Sequence, residues 1–353
     1  MFYRVLFLHM FVGEGRWTGM EKKYLIGISL IAILTLVVVE NPLSDQYVNG
    51  LKQEAVVVNG VNSTNDLTRM IKEEAKSREI PAQDAVIDTV WKATPGYNGL
   101  KVDVEASLQN MKKGKSFDED KLIYKQIPPE KHLPDLPASP VYRGNPDKPM
   151  VSFIINVAWG NEYIPDMLAT LKKHQVYATF FLEGRWVKNN PDLAKMIVDA
   201  GHEVGNHSYS HPDMKVLEAT KVREELKKTN EMIEVTTGEK VKWFAPPSGS
   251  YRDEVVHIAD EMNMRTIMWS VDTIDWQKPQ PNVLIDRVMG KMHKGAIVLM
   301  HPTASTANSL NTLILQIKER NLRLGTISSL VKEERIVEKA DNSPQQGDSK
   351  KKQ

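Results

Sequence analysis

The chain has 353 residues, enough for two folded units with tails, and its 46 basic against 45 acidic residues give a formal net charge of +1, so bulk charge calls for no nucleic acid or polyanionic partner. It contains no cysteine, which excludes a disulfide framework, a thiol nucleophile and a thiolate metal site, and leaves histidine and carboxylate as the available metal ligands. The same absence fits an exported protein of a bacterium that makes little use of disulfides.

Residues 1–44 read as a signal or anchor region. Tyr24 to Val39 is apolar and uncharged, with Lys22 and Lys23 before it and Glu40 after it. That length is short for a span of roughly 20 residues and typical of a signal-peptide core or a short anchor. The two lysines predict a cytoplasmic N-terminus, with everything after Val39 outside. No small-residue cleavage signal follows, which favours an uncleaved anchor. Met20-Glu21-Lys22-Lys23 suits the start of such a segment, so Met20 is expected as the true first residue.

Residues 45–127 read as a small α+β domain. Asn65 to Arg78 has helical spacing, with Leu67, Met70, Ile71 and Ala75 on one side. Ala85 to Trp91 looks like a strand, Pro95 to Gly99 like a turn, Val104 to Lys113 like a helix, and Leu122 to Tyr124 like another strand. Residues 128–149 hold seven prolines and predict a semi-rigid linker. Residues 336–353 are polar and aperiodic, which predicts disorder.

Between linker and tail, residues 150–335 alternate strand and helix. Val151 to Val157, Tyr177 to Glu183, Glu203 to Asn206, Lys242 to Ala245, Arg265 to Val271, Ala296 to Met300 and Leu322 to Ile327 are short apolar runs, most of them separated by helical segments. Such repetition implies parallel strands joined by crossovers. The fold class is α/β: seven or so units suggest a closed or nearly closed (β/α) barrel, whose loops after the strands gather reactive residues on one face.

Two imidazoles in His207-Ser208-Tyr209-Ser210-His211 suit a borderline-soft divalent metal; alone, they also suit an ordinary surface loop. The surrounding motifs are Val151 to Gly160, Ala178 to Gly184, Phe244 to Gly249, Ser270 to Trp276 and Leu299 to His301. In order and spacing they resemble the polysaccharide deacetylases, carbohydrate esterase family four with the NodB homology domain, and within that family the sporulation-associated branch.

The resemblance implies a distorted (β/α) barrel of seven to eight units, in agreement with the strand-helix repetition. It also implies metal-assisted amide hydrolysis: zinc or cobalt held by an aspartate and two histidines, an aspartate as base, and a histidine as acid. His207 and His211 match the histidine ligands, His301 the acid and Asp275 the carboxylate that tunes it. Trp276 and Leu299 match groove-lining residues, and the backbone around Pro247 and Ser248 the oxyanion donor. The family's adjacent aspartates, base and then ligand, are replaced by Asn156 and Val157, and its base-orienting arginine by Ala245. An amide takes no proton from water, and valine offers no lone pair. Metal binding is therefore expected to be weak or absent, and deacetylation of N-acetylglucosamine in peptidoglycan or chitin-type glycan lost or strongly impaired: by family the chain is a hydrolase acting on amide C–N bonds, with the base and one metal ligand missing. The alternative is a non-catalytic pseudoenzyme that binds glycan or protein in spore or wall assembly. Glu183 is a candidate to replace the missing carboxylate, whereas Asp213 and Asp272 read as turn formers or acceptors for a histidine N–H. The expected partners are N-acetylated cell-wall glycan and, through the N-terminal segment, the membrane, with no nucleic acid; the expected location is extracytoplasmic, membrane-anchored or secreted.

Overall fold

The computed structural model describes residues 64–112 and 116–337. The apolar run 24–39, the first part of 45–127 and the tail from residue 338 lie outside the described residues. Among those described, no helix is long and apolar enough to cross a membrane. Contacts divide the chain into two units, one comprising the described parts of residues 1–73 and 108–119, the other residues 74–107 and 120–337. Helix α1 (residues 64–77) begins in the first unit, and helix α2 (Val104–Met111) ends in it.

The second unit opens with two small antiparallel pairs, β1 (Val86–Asp88) with β2 (Lys92–Thr94), and β3 (Gly99–Val102) with β4 (Tyr124–Ile127). Eight parallel strands follow: β5 (Met150–Val157), β6 (Thr179–Leu182), β7 (Glu203–Asn206), β8 (Trp243–Phe244), β9 (Arg265–Thr266), β10 (Val271–Asp272), β11 (Ile297–Met300) and β12 (Arg323–Gly325). They pair in the order β10-β11-β5-β6-β7-β8-β9, with β12 added to β5. β9 and β10 end that path, so the barrel has a seam rather than full closure.

The seam corrects one expectation. Arg265 to Val271 does not run as one strand, because its pairing changes partner on the way: Ile267 N still bonds Phe244 O on β8 and Met268 N bonds Val141 O, whereas Ser270 N bonds Ile297 O on β11. Val141 has no exposed surface and bridges Ile267, while Arg143 bridges Ala296 ahead of β11. The end of the proline-rich stretch thus lies between the two ends of the sheet.

Helices α3 (Ile164–Lys173), α4 (Gly184–Asn189), α5 (Pro191–Asp199), α6 (Ala219–Thr237), α7 (Asp253–Glu261), α8 (Pro281–Gly290), α9 (Ala304–Glu319) and α10 (Ile327–Val331) connect or follow the strands. Side chains alternate across a strand, and β5 shows the consequence. Val151, Phe153, Ile155 and Val157 join the apolar layer shared with α3 and α9, whereas Ile154 joins the interior cluster of Phe181, Trp243, Ala245, Ile297 and Leu299. Each such side chain stabilises the fold by about 1.5–3 kcal/mol. Asn156, two residues beyond Ile154, inherits the interior direction and emerges at the barrel mouth.

Candidate active site

Strand ends deliver the side chains. Asn156, His207, His211, Ser248, Asp272, Trp276, Leu299 and His301 line one cavity of about 460 Å3, together with Ala158, Trp159 and Trp269. Pro247 is buried beside Ser248 without lining it. Val157 does not line it either, since its side chain is fully buried in the helix-facing layer. Ala245 is fully buried in the interior cluster.

The histidine loop is held from two sides. Asn206, ending β7, accepts from Ser208 N at 2.7 Å and donates through its amide to Leu226 O and Asn230 Oδ1. Glu225 on α6 accepts from the backbone nitrogens of Tyr209 and Ser210 at 2.8 and 2.7 Å and from the Ser210 hydroxyl. Ser208 and His211 take left-handed backbone, with φ of 62° and 56°. That strain is held by the surrounding bonds. His207 is 2% exposed, and its Nδ1 lies 2.8 Å from Ala245 O. A carbonyl only accepts, so Nδ1 carries the proton and Nε2 is left with the lone pair. The His207 and His211 rings lie 5.0 Å apart. Burial, then the neighbouring His211, holds His207 down to about 3, and burial also lowers His211. Both are neutral near neutral pH.

His301 faces them from the end of β11. Its Nδ1 lies 2.8 Å from Asp275 Oδ1, and Asp275, with no exposed surface, also accepts from Thr306 Oγ1 at 2.6 Å. Trp159 stacks on the His301 ring at 5.9 Å with 8° between planes. Gly160 makes the turn that places it there: φ is 82°, and a Cβ would fall 2.0 Å from Pro302 O. Only glycine fits that approach. The stack was not foreseen from the sequence, where the available signal was an aromatic residue directly after a strand end.

The other carboxylates are committed elsewhere. Glu183 does not complete the site: its Oε2 caps α4 by accepting from Trp186 N at 3.2 Å, and burial raises its pKa. The strand end turns it along the helix rather than into the mouth. Asp272 accepts from Ile274 N and Trp269 Nε1, and Asp213 from Ser250 and Lys215 N. Asn156 is the reverse case: it is 4% exposed, and its Oδ1 is buried with no partner among the described residues.

These donors do not fit a three-ligand divalent site. Two imidazoles offer lone pairs, the carboxylate that shares their cavity, Asp272, accepts from Ile274 N and Trp269 Nε1, and among the described residues no group of three histidines or acids is placed to hold a metal ion.

The family model for polysaccharide deacetylase matches residues 143–267. YlxY of Bacillus subtilis (strain 168), an uncharacterized protein, is 54% identical over 298 residues, 84% of this chain and 93% of the relative. The crystal structure of BA3943 from Bacillus anthracis, described as a CE4 family pseudoenzyme, is 59% identical and covers 76% of this chain and 96% of its own, with a TM-score of 0.73. A mutant of it, 58% identical, is described as having restored enzymatic activity. A peptidoglycan-N-acetylglucosamine deacetylase of Bacillus cereus is 33% identical over 174 residues, 48% of this chain and 63% of the enzyme.

Proposed function

The chain belongs to the polysaccharide deacetylase family, carbohydrate esterase family four, and from that premise we propose that it binds N-acetylated cell-wall glycan without hydrolysing it. One observation carries the reading: where the family holds its base, Asn156 presents a buried amide oxygen with no partner among the described residues. An unpaired buried acceptor costs about 1–3 kcal/mol. The N–H of an acetamide would recover that cost, whereas a water molecule could not be deprotonated there. Trp159 and Trp276, each about half exposed beside the cavity, offer flat apolar faces for sugar rings. The loss of both Asn156's carboxylate and the arginine at Ala245, and the description of the similar Bacillus anthracis protein as a pseudoenzyme, support the same reading.

A second reading, a strongly impaired deacetylase, is favoured by the intact His301 and Asp275 pair. Its leaving-amine acid is in place, and its base is not. Calorimetry of the full chain with chitin oligomers and peptidoglycan fragments, run beside an acetate-release assay with added zinc or cobalt, tests both. Saturable binding with no acetate supports the first reading; acetate release supports the second; neither signal overturns both. We further propose an extracytoplasmic location and a role in wall remodelling or sporulation. The lysines ahead of residues 24–39 and the resemblance to the sporulation-associated branch support these, and a reporter fused after residue 44 tests the first.

A further inference from the structure

At the opposite end of β5 from Asn156 lies a second cavity, of about 420 Å3, lined by Lys148, Arg323, Lys332 and Arg335. Met150, the first residue of β5, lines it too and pairs with Arg323 at the start of β12. The rise of an eight-residue strand puts the two cavities roughly 20 Å apart. Glu334 is the one carboxylate among the lining residues, and its 3.8 Å contact with Lys332 joins two exposed side chains. Such a contact neutralises little.

The cations have donors to spare. The Arg323 side chain makes no hydrogen bond or ion pair with another described residue. Arg335 donates through Nε to Asn98 O at 2.7 Å and lies 4.0 Å over the Tyr97 ring, yet its Nη2 is buried with no partner among the described residues. Lys148 is 2% exposed and spends two of its three N–H donors on Ser329 O and Lys332 O, at the end of α10. Burial, with Lys332 nearby and only Glu334 opposing, pulls the Lys148 ammonium down to about 8.

We propose that this cavity binds a phosphate group carried on a larger molecule. A guanidinium fork matches the oxygens of phosphate bidentately. A tetrahedral anion can meet cations that arrive from the segment just ahead of β5, from β12 and from the segment after α10, which a planar carboxylate with two oxygens cannot do equally well. The cavity is several times larger than a bare phosphate, so the rest of the ligand has room. Near-neutral bulk charge does not conflict with this, because the excess is local.

The test is calorimetry of the full chain with glycerol phosphate at constant ionic strength set by chloride. Saturable binding is expected, weakened at least about tenfold by Arg323→Gln, the loss of one charge-assisted pair. Arg323 is exposed and unbonded, so that variant should keep the parent's thermal midpoint; Arg335→Gln gives a second reading of the same loss. Dihexanoyl phosphatidylglycerol below its micelle concentration separates the sources. Tighter binding than glycerol phosphate, also lost in Arg323→Gln, assigns a lipid headgroup; equal binding assigns a soluble or polymer phosphate. No binding beyond chloride, or affinity unchanged in both variants, overturns the proposal.

Discussion

Asp275 holds His301 at two points, with Oδ1 2.8 Å from the ring Nδ1 and Oδ2 2.6 Å from the backbone nitrogen. Together with the Thr306 hydroxyl, three donors converge on one carboxylate that has no contact with water. The pair is thus a structural knot, whatever part it takes in the proposed function. Asp275→Ala strands all three donors and should cost about 3–5 kcal/mol in urea unfolding. Asp275→Asn, which keeps one acceptor oxygen, should cost clearly less.

On the proposed reading, Asn156 and Ala245 stand where the family pairs a carboxylate with an arginine. Asn156→Asp alone and Ala245→Arg alone should each destabilise the fold, the second more strongly, because Ala245 is fully buried among apolar side chains. The double substitution should recover a coupling of at least about 1 kcal/mol. Additive unfolding energies in the double-mutant cycle would show that the two positions do not meet.

Glycan binding should depend on the tryptophans. Trp159→Ala and Trp276→Ala should each weaken the affinity for chitin oligomers about five- to tenfold, as expected for losing roughly 1 kcal/mol of stacking. Titration calorimetry checks this, and unchanged affinity in both variants would remove the sugar platform.

His202 makes stability fall with acid. It is 6% exposed, its Nδ1 accepts from Ala178 N at 3.1 Å, and burial holds its pKa down to about 4. The folded state therefore binds fewer protons than the unfolded state between that value and about 6.5. Stability is complete above about pH 6.5 and falls towards pH 4, with a slope approaching about 1.4 kcal/mol per pH unit from this group. His207, shifted in the same direction, adds to it. His202→Asn should flatten the profile in chemical unfolding measured across that range.

Zinc should be held loosely. With two imidazoles and no anionic donor, metal should leave on dialysis against a mild chelator. Stoichiometric zinc by elemental analysis after that step would show that another donor, such as a reoriented Asp272, completes the site.

What was legible in the sequence was local. The apolar run 151–157 announced β5, and the strand-end positions of Asn156, His207, Ser248 and His301 followed from motif order. Contacts between residues far apart were not legible: Trp159 on His301, and Glu225 beneath the histidine loop. Glu183 illustrates the limit. Its place after β6 was correctly read, but its direction was set by the unsatisfied amides of α4, a need that periodicity does not express. The same holds for Arg265 to Val271, where one apolar run is shared between two partners, Val141 beside its first half and β11 beside its second.

Val141 has a practical consequence for dissecting the molecule. Its nitrogen donates to Thr266 O, its oxygen accepts from Met268 N, and its side chain is buried in the barrel interior. A fragment cut to begin at residue 150 would look complete by motif, yet it would uncover a hole in its own floor and leave the unpaired flanks of β9 and β10 free to recruit a neighbour's backbone. Such a fragment should be recovered as soluble aggregate, whereas one beginning ahead of β1 should stay monodisperse.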